Sequence, residues 1–336
     1  MNKTINIIFA SNVKGKGAII WSTMIAKKIF NQNNSENFFL IASKDFKKKL
    51  KHLKNKNFFF ISLSEFFLLF IKNFFGYLNK IKLISLGDYP LPLFKNQIIF
   101  VNQANLIKNK EYKFTSSNLS FFLKRIYFQI FSKNVKKFIV QSKFMKLKIS
   151  KSYNLDKKKF KIFRDYLKKP HLKFKLYKNR RKIKLLYPSN HYEYKNHKLL
   201  IELFNSFRIK NLEIHITATK KEFQKFENYK NFKRLSYFKN NNVFKIYTKF
   251  DALIFPSLNE SLGLPILEAR LFRMPIICSN LQYSRELLGN KAFFFNPLSP
   301  KSLYRSLISY FELKNKKNLK NRIFNKHLKI SKSNLI

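Results

Sequence analysis

The sequence predicts an α/β protein with two parallel-sheet domains, on three observations. Short apolar runs alternate with helical patterns along most of the chain, the pattern of repeated βα units. The alternation stops over residues 164–183, RDYLKKPHLKFKLYKNRRKI, a basic stretch that contains Pro170 and lacks clean periodicity. Residues 251–286, DALIFPSLNESLGLPILEARLFRMPIICSNLQYSRE, run strand, loop, helix, strand, with two acids and a glycine crowded where strand hands over to helix. In an open parallel sheet, ligands bind at that edge. A chain of 336 residues is long enough for two domains of ordinary size.

Each element follows in order. Ile5 to Ala10 (INIIFA) is a short apolar run that suits a buried parallel strand. The loop Ser11 to Gly17 carries Gly15 and Gly17 and leads into a helical pattern, Ala18 to Phe30. Strands are predicted at Phe38 to Ala42, Phe58 to Ile61, Leu83 to Leu86, Ile98 to Asn102 and Phe138 to Gln141, and helices at Phe121 to Ser132 and Lys143 to Tyr153. After the linker, strands are predicted at Lys184 to Tyr187, Leu212 to Thr217, Ala252 to Phe255, Pro275 to Cys278 and Phe293 to Phe295. Helices are predicted at Leu199 to Phe207, Lys221 to Asn228 and Pro300 to Leu313. The implied organisation is a first domain over 1–163, a linker over 164–183, a second domain over 184–314 and a basic tail over 315–336 that packs back on the first domain.

Composition narrows the class. Lys plus Arg number 69 against 17 Asp plus Glu, a formal charge of +52. Basic surfaces bind phosphate backbones, so a nucleic-acid-binding protein is one alternative. The excess is spread along the chain, however, and Lys, Asn, Ile and Phe, all with A/T-rich codons, are common together. Codon bias accounts for that profile in any fold, and no specific nucleic-acid partner is expected. The charge also favours an anionic membrane surface, where each nearby basic residue contributes about 1 kcal/mol. The aromatic, basic stretch from Phe58 to Lys82 predicts such peripheral contact, a buried Phe-rich helix being the alternative. Glu65 and Lys72 interrupt it, and a spanning helix needs about 20 mostly apolar residues. Cys278 is the only cysteine, which excludes an intrachain disulfide and fits a reducing cytoplasm. The N-terminus, MNKTINIIFAS, is too short in its apolar part for a signal peptide and reads as a first strand.

The chemistry concentrates at Gly263-Leu264-Pro265. Proline is favoured at a helix start, where its missing N–H costs nothing, and the glycine before it permits a tight turn. The N–H groups of residues 262–264 then face outward from a helix N-terminus, a natural anion site. Glu268 stands about one turn into that helix and Glu260 in the loop before it. A carboxylate accepts two hydroxyl hydrogens, as from a ribose diol, so an anion with a diol and a sugar beside it describes a sugar nucleotide. The bland alternative is that both acids only favour the helix dipole, each worth about 0.3–1 kcal/mol.

Residues 251–297 resemble the retaining glycosyltransferases called group 1 or family 4, which have the GT-B architecture. The matching residues are Phe255-Pro256-Ser257, Glu260-Ser261-Leu262-Gly263-Leu264-Pro265 and Glu268-Ala269, then Pro275-Ile276-Ile277, Glu286 and Asn296-Pro297. Leu186-Tyr187-Pro188 through Tyr194-Lys195-Asn196-His197 resembles the first strand and loop of that family's nucleotide-binding domain. Val140-Gln141-Ser142 with Met145, and Gly87-Asp88 with Pro90 and Pro92, are similar to its first domain. Gly15 and Gly17 match its glycine loop. Two departures stand out. The family's arginine position falls near Asn190, and Gln103-Ala104-Asn105 occupies a loop where many relatives place a histidine.

The resemblance implies two Rossmann-like domains with parallel sheets facing a central cleft whose closure excludes water. It implies a metal-independent, retaining hexosyltransferase that moves a sugar from a nucleoside diphosphate donor to a sugar or lipid-linked acceptor hydroxyl, with no cofactor. Cell-surface polysaccharide, lipopolysaccharide or glycolipid synthesis is the implied setting, in the cytoplasm and at the membrane face. By the same resemblance Glu260 is the catalytic residue that holds the donor sugar. Lys195, Asn190, Ser261, Leu262, Gly263, Leu264 and Glu268 form the donor site, and Gly15 and Gly17 lie against donor and acceptor. A catalytically degenerate relative is the further alternative that the missing arginine raises. His191 and His197 are expected at the loop surface.

Overall fold

The computed structural model of the chain describes residues 5–11, 13, 16–32, 37–50, 58–74, 81–107, 118–163, 182–237 and 243–315. Gly15, residues 164–181 of the linker and residues 316–336 of the tail lie outside the described residues. The contacts divide the described chain into two compact units, one holding 5–107 and 118–163, the other 182–237 and 243–315.

The first unit contains strands β1 (Ile5–Ala10), β2 (Phe38–Ala42), β3 (Phe58–Phe60), β4 (Ile81–Ser85), β5 (Gln97–Val101), β6 (Lys137–Val140) and β7 (Phe160–Ile162). Its helices are α1 (Lys16–Gln32), α2 (Lys44–Leu50), α3 (Leu63–Phe74), α4 (Asn118–Phe131) and α5 (Lys143–Tyr153). The strands form one parallel sheet in the order β3-β2-β1-β4-β5-β6-β7. Helices cover both faces. Trp21 of α1 meets Phe100 edge-on at 5.7 Å on one face, and Phe128 of α4 packs with Ile99, Val101 and Phe138 on the other. A strand covered on both faces must be apolar throughout, and β5 is buried at every position.

The second unit contains β8 (Ile183–Tyr187), β9 (Leu212–Thr217), β10 (Phe232–Leu235), β11 (Ala252–Phe255), β12 (Ile276–Ser279) and β13 (Phe293–Phe295). With them come α6 (His197–Ser206), α7 (Lys220–Phe223), α8 (Val243–Tyr247), α9 (Leu264–Leu271), α10 (Gln282–Leu288) and α11 (Pro300–Asn315). The sheet is parallel, in the order β10-β9-β8-β11-β12-β13. The chain leaves β8 toward β9 and β10, then returns to the other side of β8 with β11. The switch point therefore lies between the carboxyl ends of β8 and β11, where such sheets hold ligands. A buried ion pair fastens α11 beneath it: Lys314 Nζ lies 3.0 Å from Asp251 Oδ1, while Lys184 N donates to Oδ2 at 2.8 Å.

Two strands and three helices escaped the sequence reading. β7 and β10 are both sheet edges, and edges tolerate charge that interior strands do not; Lys233 and Arg234 of β10 are exposed. Among the described side chains of α2, Phe46 and Leu50 face the core, 0% and 1% exposed and one turn apart. α8, with five residues, and α10, with seven, are too short for periodicity to register. The linker also ends earlier than expected, since Ile183 already belongs to β8.

Candidate functional site

Two loops build the site, residues 188–196 after β8 and 256–263 after β11. They are stitched together by the backbone: Leu258 N donates to Tyr194 O at 2.7 Å. Tyr187, the last residue of β8, is buried and its hydroxyl donates to Lys195 O, holding the short helical turn Glu193–Lys195 in place. Asn196 sits at φ 57°, a left-handed conformation that asparagine tolerates better than most residues. Its Nδ2 donates to Pro256 O at 3.2 Å and to Pro297 O at 2.8 Å. One side chain thus joins the β8 loop, the β11 loop and the Asn296-Pro297 turn after β13. Tyr283 of α10 adds a bond from its hydroxyl to Ser257 O at 2.7 Å.

These fasteners bring Lys195 to Glu260. Lys195 Nζ lies 2.5 Å from Glu260 Oε1, with side-chain exposures of 8% and 12%. The same ammonium stands over the rings of Tyr194 and Phe255, at 5.1 and 5.5 Å from their centroids. Apolar aromatic walls lower the local dielectric and strengthen the pair.

α9 starts at Leu264, one residue before the proline, so Pro265 occupies its second position. Gly263 is the N-cap at φ 67°, and a Cβ there would lie 3.4 Å from Ile266 Cδ1 in a backbone conformation that side chains disfavour. Among the described residues, the N–H groups of Leu262, Gly263 and Leu264 donate to no protein acceptor. They stand at a helix N-terminus, where backbone dipoles favour an anion. Ser261, next to Glu260 in the same loop, is partly exposed.

Glu268 does not stand alone. Its Oε2 accepts the hydroxyl of Tyr247, at 2.5 Å, from α8. Burial pushes the Glu268 carboxyl up to about 7, against the opposing effect of that hydrogen bond. Tyr247 is fully buried and stacks on Phe272 at 5.7 Å. The sequence reading missed Tyr247, because nothing in VFKIY marks one aromatic residue as the partner of an acid 21 positions away.

Asn190, near which the arginine position of the resembled family falls, is exposed in the β8 loop. Its neighbours are rigid. Ser189 N donates to Thr217 Oγ1 at 2.8 Å, and Ser189 Oγ lies 3.0 Å from His197 Nε2. His191 stacks on His197 at 4.4 Å, and His191 Nε2 lies 3.2 Å from Thr217 O. The expectation that both histidines sit on the loop surface is therefore corrected. His197 is 4% exposed, and burial, then His191 and nearby lysines, drives its pKa down to about 2. It is a neutral structural group. His191 is partly buried, and burial lowers its pKa as well. Both rings pack near Phe226, which no polar loop surface would supply.

In the first unit, Gly17 lies in the first turn of α1. Asp88, at φ 75°, accepts from Asn102 N, from Gln103 N at 3.1 Å and from Gln103 Nε2 at 3.1 Å. Gln103 thus anchors the loop in which relatives were expected to carry histidine. The Gln-Ser pair before α5 also has a physical reason: Ser142 Oγ accepts from Met145 N at 3.1 Å and caps that helix.

Comparison with known proteins agrees with this architecture. Residues 168–326 match the family model described as glycosyl transferases group 1. The chain is 24% identical over 239 residues to the O-antigen chain mannosyltransferase RfbU of Salmonella typhimurium, a match covering 69% of this chain and 65% of that protein, just under two thirds of its length. Among solved structures, WaaG, a glycosyltransferase involved in lipopolysaccharide biosynthesis, matches with a TM-score of 0.64 at 13% identity, over 95% of this chain and 94% of that one. HepE of Anabaena, solved with UDP and glucose, matches at 0.62 and 13% identity, over 95% and 93%. At such identities the likeness establishes the fold, two parallel-sheet Rossmann-like units of GT-B type.

Proposed function

We propose that this chain, whose residues 168–326 match the model of the group 1 glycosyl transferases, is an enzyme of that kind and moves a hexosyl group from a nucleoside diphosphate sugar to an acceptor hydroxyl with retention of configuration. The observation that carries this reading is the meeting of Lys195, Glu260 and the α9 N-terminus at the switch point of the second sheet.

The roles follow from chemistry. Charge grows on the diphosphate as the glycosidic bond breaks. Lys195 and the N–H groups of Leu262 to Leu264 are placed to oppose it, with no metal or cofactor, as preorganised donors do. An ammonium has three hydrogens, so Lys195 keeps one on Glu260 while others reach phosphate. Glu260 holds the donor sugar, and Glu268, braced by Tyr247, holds the ribose diol. Ser261 flanks this pocket, and Asn190 offers an amide where an arginine would add charge. Gly17 is assigned to donor and acceptor in this reading, and Gly15 shares that role by the resemblance alone. The acceptor is a sugar or lipid-linked hydroxyl in surface polysaccharide or lipopolysaccharide synthesis, on the cytoplasmic side, in keeping with relatives named for O-antigen and lipopolysaccharide work.

A thermal-shift panel of UDP, GDP, ADP and their sugars tests the reading. One relative is named for mannosyl transfer and another was solved with UDP-glucose, which motivates two of the sugar arms. A nucleotide at 100 times its dissociation constant stabilises by about 2.7 kcal/mol. Stabilisation by one nucleotide, with Glu260→Ala abolishing transfer from its sugar, is the expected result. No shift with any nucleotide, or full turnover by Glu260→Ala, overturns the reading.

A further inference from the structure

The first unit carries an apolar face that includes none of the residues of the site described above. Sheet register fixes which helices share it. Ile7 pairs with Leu83, Leu83 with Gln97, and Ile99 with Phe138. Paired residues of parallel strands point the same way, as do residues two apart on one strand. Ile7, Leu83, Ile99 and Phe138 therefore share one face of the sheet. α3 packs there through Phe66, against Ile7, Ile81 and Leu83. α4 packs there through Phe128, and α5 through Met145 and Ile149. All three helices cover the same side of one sheet.

Their outer surfaces are unlike those of a water-facing layer. On α4, Leu119, Phe122, Leu123, Ile126 and Ile130 are 41% to 72% exposed. Their spacing puts them on one stripe opposite Phe128. On α3, Leu63, Phe67, Leu68 and Ile71 are 41% to 59% exposed, so at these positions the buried-helix alternative does not hold. The loop between β4 and β5 bridges the two helices. Phe94 stacks on Phe66 at 6.0 Å, Tyr89 meets Tyr127 of α4 at 6.1 Å, and Tyr127 donates to Pro90 O at 2.8 Å. That loop exposes Leu93 as well. Beside α4, α5 turns Lys143, Lys148 and Lys151 outward. Neither α4 nor α5 contains an acid, and Glu65 of α3 is engaged by Ser62 N at 2.5 Å.

We infer that this face rests on an anionic lipid bilayer, with the outer side chains of α3 and α4 in the interface and the α5 lysines on the headgroups. α3 and α4 have 12 and 14 residues, too few to span about 30 Å of hydrocarbon, so they lie in the surface plane. Charge selects this occupant. A second copy would bring the same acid-free lysines and another +52 against the first. A nucleic acid would satisfy the lysines and leave the Leu and Ile stripe without a partner. The contact expected from residues 58–82 thus becomes half of a larger face, whose other half is α4, predicted from sequence simply as a helix.

The test places an environment-sensitive fluorophore on α4 through Ile126→Cys; the native Cys278 is buried and does not compete for label. Phosphatidylcholine vesicles with and without phosphatidylglycerol are added, without donor or acceptor, so the outcome is independent of the transfer reading. A blue shift with anionic vesicles, reversed by salt and absent with neutral ones, is expected. Leu119→Ser/Phe122→Ser/Ile130→Ser should weaken co-sedimentation of unlabelled protein roughly tenfold or more. Lys143→Glu/Lys148→Glu/Lys151→Glu, which leaves the apolar stripe intact, should weaken it by a comparable factor. No shift with anionic vesicles, or equal shifts with both, overturns the inference. So does a dimer in sedimentation equilibrium that Ile126→Lys dissociates, because the face then belongs to a second copy.

Discussion

Lys195 and Glu260 are 65 positions apart in the chain, yet Lys195 Nζ lies 2.5 Å from Glu260 Oε1 with both side chains largely removed from water. Breaking one half of such a pair strands the other. Lys195→Ala should cost about 3 kcal/mol in urea unfolding. Lys195→Met/Glu260→Gln, which removes both charges, should recover most of that loss. Sugar transfer, followed by nucleotide release, should stay abolished in both variants. A double variant that turns over normally would reduce the pair to a structural contact.

Glu268 sets a pH dependence. Its carboxyl is raised from an ordinary 4.5 to about 7, chiefly by burial. Two ribose hydroxyls need an acceptor, which the carboxylate is and the protonated acid is only in part. Nucleotide affinity should rise with pH through about 7 and level off above it. The stability sign is opposite. The folded protein holds this proton more tightly than the unfolded chain, so the contribution is full below 4.5 and is lost as pH climbs through 7. Calorimetric titration of nucleotide across pH should show a flattened profile for Glu268→Gln. Tyr247→Phe, which removes the hydrogen bond favouring the carboxylate, should move the midpoint upward.

Asn196 combines a left-handed backbone with two bonds to other loops. Asn196→Ala loses both bonds and strains the backbone, for an expected cost of about 2–3 kcal/mol. Asn196→Gly keeps the backbone free of strain and loses the bonds alone, so its melting temperature should fall between the two. Equal melting temperatures for both variants would show that the strain contributes nothing.

Asp88 accepts three N–H donors, yet burial still raises its carboxyl from 3.8 to about 6. The raised value means a contribution to stability that is full below 3.8 and lost as pH rises through 6. Asp88→Asn should flatten the slope of melting temperature against pH over that interval. An unchanged slope would mean that Asp88 stays ionised in the folded protein throughout.

Much of the site was legible because one segment carries it. Phe255 to Glu268 is continuous in sequence, and its turn, its proline and both acids follow from local rules about helix starts. The histidines were misjudged for the converse reason. The burial of His197 depends on Thr217, Phe226 and Ser189, which belong to other elements. The outer face of α4 was equally hidden. Its Leu, Ile and Phe residues fall on more than one side, with Lys124, Arg125 and Gln129 between them, so the pattern does not say which side faces the core, and the sheet decides which side is left over.

By itself the sequence determined the alternation of strands and helices, because parallel strands must be apolar along their length while the loops between them need not be. It also determined where the acids and the αL glycine fall relative to the start of α9. Only the tertiary structure decided which groups those acids meet. Lys195 reaches Glu260, and Tyr247 reaches Glu268, across the crossover that returns the chain to β11. Hydrogen bonds between side chains are set by where elements pack, and spacing along the chain carries no record of that.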